Sequence, residues 1–430
     1  IIKNGSCYIN KNLKDQDIAI KDGKIIKIGK IVNAAKDIFD AKGLTVLPGC
    51  IDTQTHFREP GSTDTEDLHS GSRAAIVGGI TSVFEMPNTN PPTSNKTEFQ
   101  KKLDLAKNRM HCNYAFYFGA TPDNADELAD LKNLEGCCGI KLFAGSSTGN
   151  LLVQYEEDME KVFKSSSKVV AVHSEDEEIL NMNKKLIKKG DVHSHPIWRS
   201  EECAISSTRR IVRIAERYKK KAHILHVTTK QEIDFLSQHK GDITFEITPQ
   251  HLTMYAPDCY DKLGTYAQMN PPLRDKSHYD RLWYGVKNNL NDTIGSDHAP
   301  HLKENKEKIY PNSPSGMPGV QTLLPVMLNH INDGKLSLEQ LMNSICENPV
   351  KIFGIKDKGF IKEGFDADFT IVDMNKKISI KNENIESKCG WTPFDGYELK
   401  GAPVSTIIGG QIKMKDGKIL GDPEGKPLKF

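Results

Sequence analysis

The chain has 430 residues, 37% of them hydrophobic and 27% charged, with 58 Lys and Arg against 57 Asp and Glu. At roughly 150 residues per domain this length suggests two or three domains, and the apolar content is that of an ordinary globular protein. A formal net charge of +1 offers no bulk basic field, which argues against a general nucleic-acid binder, and no apolar run reaches the roughly 18–20 residues that span a bilayer.

The N-terminus, Ile1-Ile2-Lys3-Asn4, lacks the charged-then-apolar order of a signal peptide. Nine cysteines, an odd number without a Cys-x-x-Cys pair, point to a reducing cytoplasm. Residues 16–30 alternate apolar and polar positions around Asp22-Gly23, a pair that tolerates the positive φ of a two-residue hairpin. The far end repeats the pattern, with Val404–Ile408 followed by a hairpin around Asp416-Gly417 and a further strand over Ala367–Asp373. Neither flank alone has enough strands to bury a face, so the economical reading is one β domain built from both termini. Two independent hairpins decorating a central domain are the alternative.

Between the flanks, short apolar runs alternate with helical segments. Strands are predicted at Ser82–Met86, Tyr114–Gly119, Gly139–Phe143, Val169–His173, His223–Val227, Ile243–Thr248 and Thr293–Ser296. Helices are predicted at Ser70–Gly78, Thr97–Arg109, Met159–Ser165, Ala204–Tyr218, Lys230–Gln238 and Ser337–Glu347. This alternation argues for parallel α/β architecture, with a closed barrel of about 250 residues fitting the length. A doubly wound open sheet is the alternative, but no Gly-x-Gly-x-x-Gly or phosphate-loop motif is present.

Polar groups fall at the ends of the predicted strands. His173 closes Val-Val-Ala-Val, His226 follows His223-Ile-Leu, Asp297 follows Thr-Ile-Gly-Ser, and Lys141 interrupts Gly-Ile-Lys-Leu-Phe. After Val46–Ile51 come Asp52, Gln54, His56 and Arg58, two apart and so on one face of an extended strand. Barrel enzymes keep their sites at the C-terminal strand ends, and imidazole with carboxylate suits zinc and similar ions.

These segments, in order, resemble a known family. Pro48-Gly-Cys-Ile-Asp-Thr-Gln-Thr-His-Phe-Arg-Glu-Pro-Gly61, Glu85-Met-Pro-Asn-Thr-Asn90, Gly139–Phe143, His173-Ser-Glu-Asp176, Leu225-His-Val-Thr228, Met269-Asn-Pro-Pro-Leu-Arg274, Ser296-Asp-His-Ala-Pro-His301 and Gly359–Phe369 are similar to motifs of the cyclic amidohydrolase superfamily, and within it of the dihydroorotases. The resemblance implies a (β/α)8 TIM-type barrel over residues 48–354, with a small β-sandwich formed by residues 1–47 and 355–430. It implies zinc, one or two ions, held by His56, Lys141 (carbamylated in many members), His173, His226 and Asp297, with Asp297 also the general base. Arg58, Asn88 and His301 would grip a substrate carboxylate, as the planar guanidinium fork suits, and Asn270 would face the substrate.

The implied reaction is the reversible cyclisation of N-carbamoyl-L-aspartate to L-dihydroorotate through a metal-activated water, in a homodimer, with aspartate carbamoyltransferase a possible partner. The departure is Gln54, where the family has His. A neutral amide oxygen is a weaker donor than imidazole, so zinc affinity would fall or one ion would be lost. Two other functions compete: a hydantoinase or dihydropyrimidinase, and a metal-poor scaffold for a partner, which Gln54 alone supports.

Some groups have plainer readings. Arg58 could pair with Glu59 or Asp67, Asn88 and Asn270 could be turn residues beside prolines, and His251 reads as a packed histidine. His193 and His195 lie in a polar loop after Lys-Lys-Gly and read as solvated. The Lys-rich runs at 184–189 and 219–221 read as solvated helix ends. Residues 302–318 form a polar stretch that could be a lid or an ordered surface loop.

Overall fold

The computed structural model describes residues 1–147 and 151–430. Eight parallel strands follow one another in chain order: Cys50–Thr55, Ile80–Glu85, Asn113–Gly119, Cys137–Phe143, Val170–His173, Ala222–Ile224, Ile243–Ile247 and Thr293–Ile294. Nearly every residue in them is buried, because facing strands cover one side and helices the other. The segment after the eighth strand closes the circle onto the first. His56 N donates to His298 O at 2.7 Å, and Ser296 N donates to the buried Asp52 carboxylate at 2.9 Å. This is the expected (β/α)8 barrel.

Helices return the chain between strands, and their starts are legible chemically. Ser200 accepts from Cys203 N ahead of Glu201–Tyr218, and Thr229 and Glu232 form a capping box ahead of Lys230–Leu236. Glu201–Tyr218 buries Ala204, Ser207, Thr208, Ile211, Val212 and Ala215 at helical spacing, then stops at Lys219 with a left-handed φ of 51°. Beyond the predicted set lie two helices of ten residues or more among the described residues, Lys276–Lys287 and Leu323–Asn332, and several shorter ones. The predicted helix Ser337–Glu347 divides into Leu338–Met342 and a π-helical stretch, Asn343–Glu347.

Both termini build one nine-stranded sheet. Thr45–Pro48 is its seam, pairing parallel with Ile2–Ile9 and antiparallel with Phe369–Ser379. The two Asp-Gly turns have the positive φ their type requires, 52° and 76° at Asp22 and Gly23, and 49° and 78° at Asp416 and Gly417. The sheet curls on itself: Ala367 N donates to Gly23 O at 2.8 Å, and Ile25 N to Phe365 O at 2.9 Å. Ile18, Ile25, Val46, Phe369, Ile371 and Ile407 share the core enclosed by that curl. Between sheet and barrel stands Gly49, where a Cβ would collide with Thr81 and Asp368.

The C-terminal part does more than finish the sheet. Residues 380–397 run to the barrel mouth, where Trp391 Nε1 donates to His301 O at 2.7 Å. The last residues pass under the barrel, with Leu428 N donating to Tyr114 O at 2.8 Å. All nine cysteines are buried free thiols. Among the described residues no helix is long and apolar enough to cross a membrane.

Candidate active site

One narrow cavity opens at the C-terminal ends of the barrel strands. Gln54, His56, Arg58, Asn88, Lys141, His173, His226, Asn270 and Asp297 line it, with Phe143, Ser147, Ala299, Ser315 and Gly316. Every predicted site residue except His301 lines it, and His301 adjoins the cluster, its Nε2 3.4 Å from Arg58 Nη2. The same imidazole nitrogen donates to Ser315 O at 2.9 Å. Positive φ values of 61°, 37° and 43° at Arg58, His226 and Asp297 bend the backbone where it leaves the first, sixth and eighth strands. Non-glycine residues adopt such values at a cost, and functional sites are where that cost recurs.

The predicted ligands form two pairs. His56 Nε2 lies 3.2 Å from Asp297 Oδ1, while His56 Nδ1 meets Asn88 Oδ1 at 2.8 Å. His173 Nδ1 lies 3.1 Å from His226 Nε2, while His173 Nε2 meets Glu175 Oε2 at 2.8 Å. Amide and carboxylate oxygens accept, so each imidazole spends its hydrogen on the outer nitrogen and turns a lone pair inward. Burial lowers all three imidazoles, His56 to about 4 and His226 well below its usual value, so they are neutral donors near pH 7. Among the described residues no three His, Cys, Asp or Glu side chains already converge on one point.

The remaining polar groups fit a cation. Gln54 Nε2 donates to Asp297 Oδ1 at 3.0 Å, and Gln54 Oε1 is buried without a hydrogen-bond partner, as is His226 Nδ1. Burial opposes ionisation of Asp297, yet its carboxyl is held below the usual range, with Lys141 the cation among the groups that lower it. Burial pushes the Lys141 amine down to about 7, so an appreciable fraction is uncharged and nucleophilic. One buried unpaired oxygen, one unpaired imidazole nitrogen, inward lone pairs and a carboxylate are a donor set a zinc ion takes.

Arg58 pairs with neither Glu59 nor Asp67. Glu59 is held by Arg109 at 2.7 Å, and Asp67 by Lys388 at 2.6 Å. Arg58 instead donates from Nε to Pro300 O at 3.2 Å, and among the described residues no carboxylate lies within ion-pair distance of it. Burial lowers its guanidinium to about 10. Asp297, Glu85 and Glu66 act on it from beyond ion-pair distance, so a buried cation on the cavity wall, with no carboxylate in direct contact among the described residues, is shaped for an anionic ligand.

Three groups escaped the sequence. Glu175 orients His173 and is itself clamped by Arg199, whose Nε lies 3.1 Å from both its oxygens. The spacing His173-x-Glu175 was a visible signal; Arg199 offered none. His195 is fully buried rather than solvated, because its ring finds acceptors 74 and 75 residues further on, at Met269 O and Asn270 Oδ1. Its neighbour His193 is part-exposed and faces Asp261. His251 is packed as expected, between Thr248 Oγ1 at 2.7 Å and Pro271 O at 3.3 Å. Residues 302–318 are a packed wall in part: Lys306, Tyr310, Ser313 and Met317 are buried. A separate, mostly apolar hollow between Tyr8, Pro48, Glu347 and Phe360 holds none of this cluster.

The amidohydrolase family profile matches residues 45–413. A dihydroorotase of Methanosarcina acetivorans is 35% identical over 98% of this chain and 93% of its own length. A dihydroorotase of Pyrococcus furiosus is 34% identical over 100% of this chain and 96% of its own. Among solved structures, an L-hydantoinase (dihydropyrimidinase) from Arthrobacter aurescens superposes with a TM-score of 0.95 at 29% identity, covering 100% of this chain and 99% of that one.

Proposed function

Since this chain belongs to the amidohydrolase family, we propose that the reaction of this cyclic amidohydrolase is that of its dihydroorotase relatives. It interconverts N-carbamoyl-L-aspartate and L-dihydroorotate, a step of pyrimidine synthesis. Arg58 carries this reading. Its buried guanidinium makes no direct ion pair with a carboxylate among the described residues and lines the cavity that the proposed ligands line. The carboxylate of dihydroorotate supplies the missing counter-charge, with Asn88 and Asn270 beside it. His301 keeps Ser315 in place and joins the grip if it releases that carbonyl. A hydantoinase reading draws on the likeness to the L-hydantoinase, but a neutral ring would leave Arg58 without an anion in direct contact. A scaffold reading rests on Gln54 alone, while His56, Lys141, His173, His226 and Asp297 line one cavity.

The donor set fits zinc. His56, His173, His226 and Asp297 would hold it, with Lys141 as its carbamate and Gln54 through Oε1. When bound, zinc lowers the pKa of water toward neutrality and polarises an amide carbonyl. Asp297 moves the proton: its carboxylate takes one as water adds to the ring amide and delivers it to the ring nitrogen as the C–N bond breaks. Cyclisation is the reverse, with the carbamoyl nitrogen giving its proton to Asp297. Arg58 fixes the ring by its carboxylate, so that the reacting amide lies against Asp297.

The organisation serving this chemistry is a catalytic barrel over residues 48–354, framed by residues 1–47 and 355–430. A homodimer in the cytoplasm, receiving carbamoyl-aspartate from an aspartate carbamoyltransferase, completes the reading. The test is cyclisation of N-carbamoyl-L-aspartate before and after chelation. Cyclisation that stops with the chelator and returns with zinc supports the proposal. A zinc-loaded protein with no turnover in either direction contradicts it.

A further inference from the structure

The buried ring of His195 sits among Trp198, Tyr310 and the Met269-Asn270 turn. Its Nε2 lies 3.0 Å from Met269 O and 3.1 Å from Asn270 Oδ1. A backbone carbonyl can only accept, so Nε2 must carry the hydrogen. That same N–H then selects the oxygen of the Asn270 amide, and the NH2 group is turned the other way. The opposite ring nitrogen, Nδ1, is left with a lone pair, and the Tyr310 hydroxyl faces it at 3.5 Å. Asn270 lines the cavity that Arg58 and Asp297 line.

We propose that His195 is a positioning residue, which fixes the Asn270 amide with its NH2 toward the cavity and so makes it a hydrogen-bond donor to a substrate oxygen. An asparagine amide flips readily, and its two ends are nearly equal in shape. With Oδ1 turned to the cavity, Asn270 would repel the carbonyl and carboxylate oxygens of the ring acid. With NH2 turned there it binds them. His195 removes the choice before substrate arrives, which is where preorganised hydrogen bonds gain their advantage. Tyr310 extends the arrangement, because it belongs to the segment that also supplies Ser315 and Gly316 to the wall. The inference rests on the proposed reaction only in taking an oxygen-rich ring acid as the ligand.

The experiment compares zinc-loaded wild type, His195→Met, His195→Gln, Asn270→Ala and the double variant His195→Met with Asn270→Ala. The readouts are kcat and KM for L-dihydroorotate hydrolysis, zinc content and thermal midpoint. His195→Met should raise KM about tenfold, the effect of one lost hydrogen bond, with kcat within about threefold and zinc unchanged. Gln places an amide NH2 near the position of Nε2, so His195→Gln should return KM to within about threefold of wild type. In the Asn270→Ala background, His195→Met should add nothing further, because its route to substrate is gone.

An unchanged KM in the Met variant, or effects that multiply in the double variant, would overturn the proposal. If the Met variant does not fold, the Gln variant decides: a KM near wild type upholds the positioning role, and a tenfold rise refutes it. A failure of the proposed reaction itself would be visible separately, as absent turnover by wild type.

Discussion

Replacing Arg58 by Met separates a substrate-binding cation from a structural one. Met fills a similar volume but carries no charge. Burial lowers the guanidinium from its ordinary value to about 10, and at about 1.4 kcal/mol per tenfold this corresponds to about 3 kcal/mol of destabilisation of the empty protein. The sign follows from a cation whose folded pKa lies below its unfolded value. The destabilisation is present in full below about pH 10 and is relieved as the pH rises from there toward the unfolded value. At pH 7.5 the Met variant should therefore be as stable as wild type or more stable, by up to about 3 kcal/mol less the contact with Pro300 O. Catalysis should move the other way. Two charge-assisted hydrogen bonds at about 1.5–3 kcal/mol each amount to a loss of about 10²–10⁴ in kcat/KM for dihydroorotate. Urea denaturation gives the first quantity and initial rates give the second. A variant less stable by more than about 2 kcal/mol, or one with kcat/KM within tenfold of wild type, would refute the argument that Arg58 waits for an anion.

Other expectations follow from the same geometry. Gln54→His supplies an imidazole at the position the family fills with one, and should tighten zinc binding by at least about tenfold in a competition titration; unchanged affinity would mean that Gln54 faces no ion. Glu175→Gln leaves His173 without its charged partner, so zinc affinity of the folded protein should fall about 10–100-fold, and because buried Arg199 loses its carboxylate as well, the thermal midpoint should fall too. Equal affinity would show that the Glu175 contact does not orient a ligand. Asp297→Asn cannot carry the proton and should lower kcat by at least about 10³-fold, measured with zinc content held equal. A kcat within tenfold of wild type would place the proton transfer elsewhere.

The strand ends were legible because each apolar run stops on a residue that has no reason to be in a core. His173, His226 and Asp297 stand where those runs stop, and Lys141 inside one; all four line the cavity. The hairpins were legible because Asp-Gly in an alternating pattern has few other uses. His195 was not, since Lys-Lys-Gly-Asp before it reads as solvent-facing and its acceptors lie 74 and 75 residues away. Lys306 was hidden for the same reason. It sits in a run of Lys, Glu and Asn, yet its ammonium is buried and donates to Gln268 O, Pro314 O and Gly316 O at 3.0, 2.8 and 3.0 Å. Backbone carbonyls leave no trace in composition, so a lysine that satisfies three of them looks like any surface lysine. The approach of residues 380–397 to the mouth was hidden too, because Trp391 meets a carbonyl across the domain rather than a partner in its own pattern.

The most direct test of the account uses two rings that differ only in the carboxylate. Zinc-loaded wild type is given L-dihydroorotate and dihydrouracil in parallel, and ring opening is followed from initial rates. The account predicts turnover of dihydroorotate with kcat/KM at least about 10²-fold above that for dihydrouracil, the margin one placed guanidinium provides. Equal rates, or a preference for dihydrouracil, would contradict it and assign the cavity to a neutral cyclic amide.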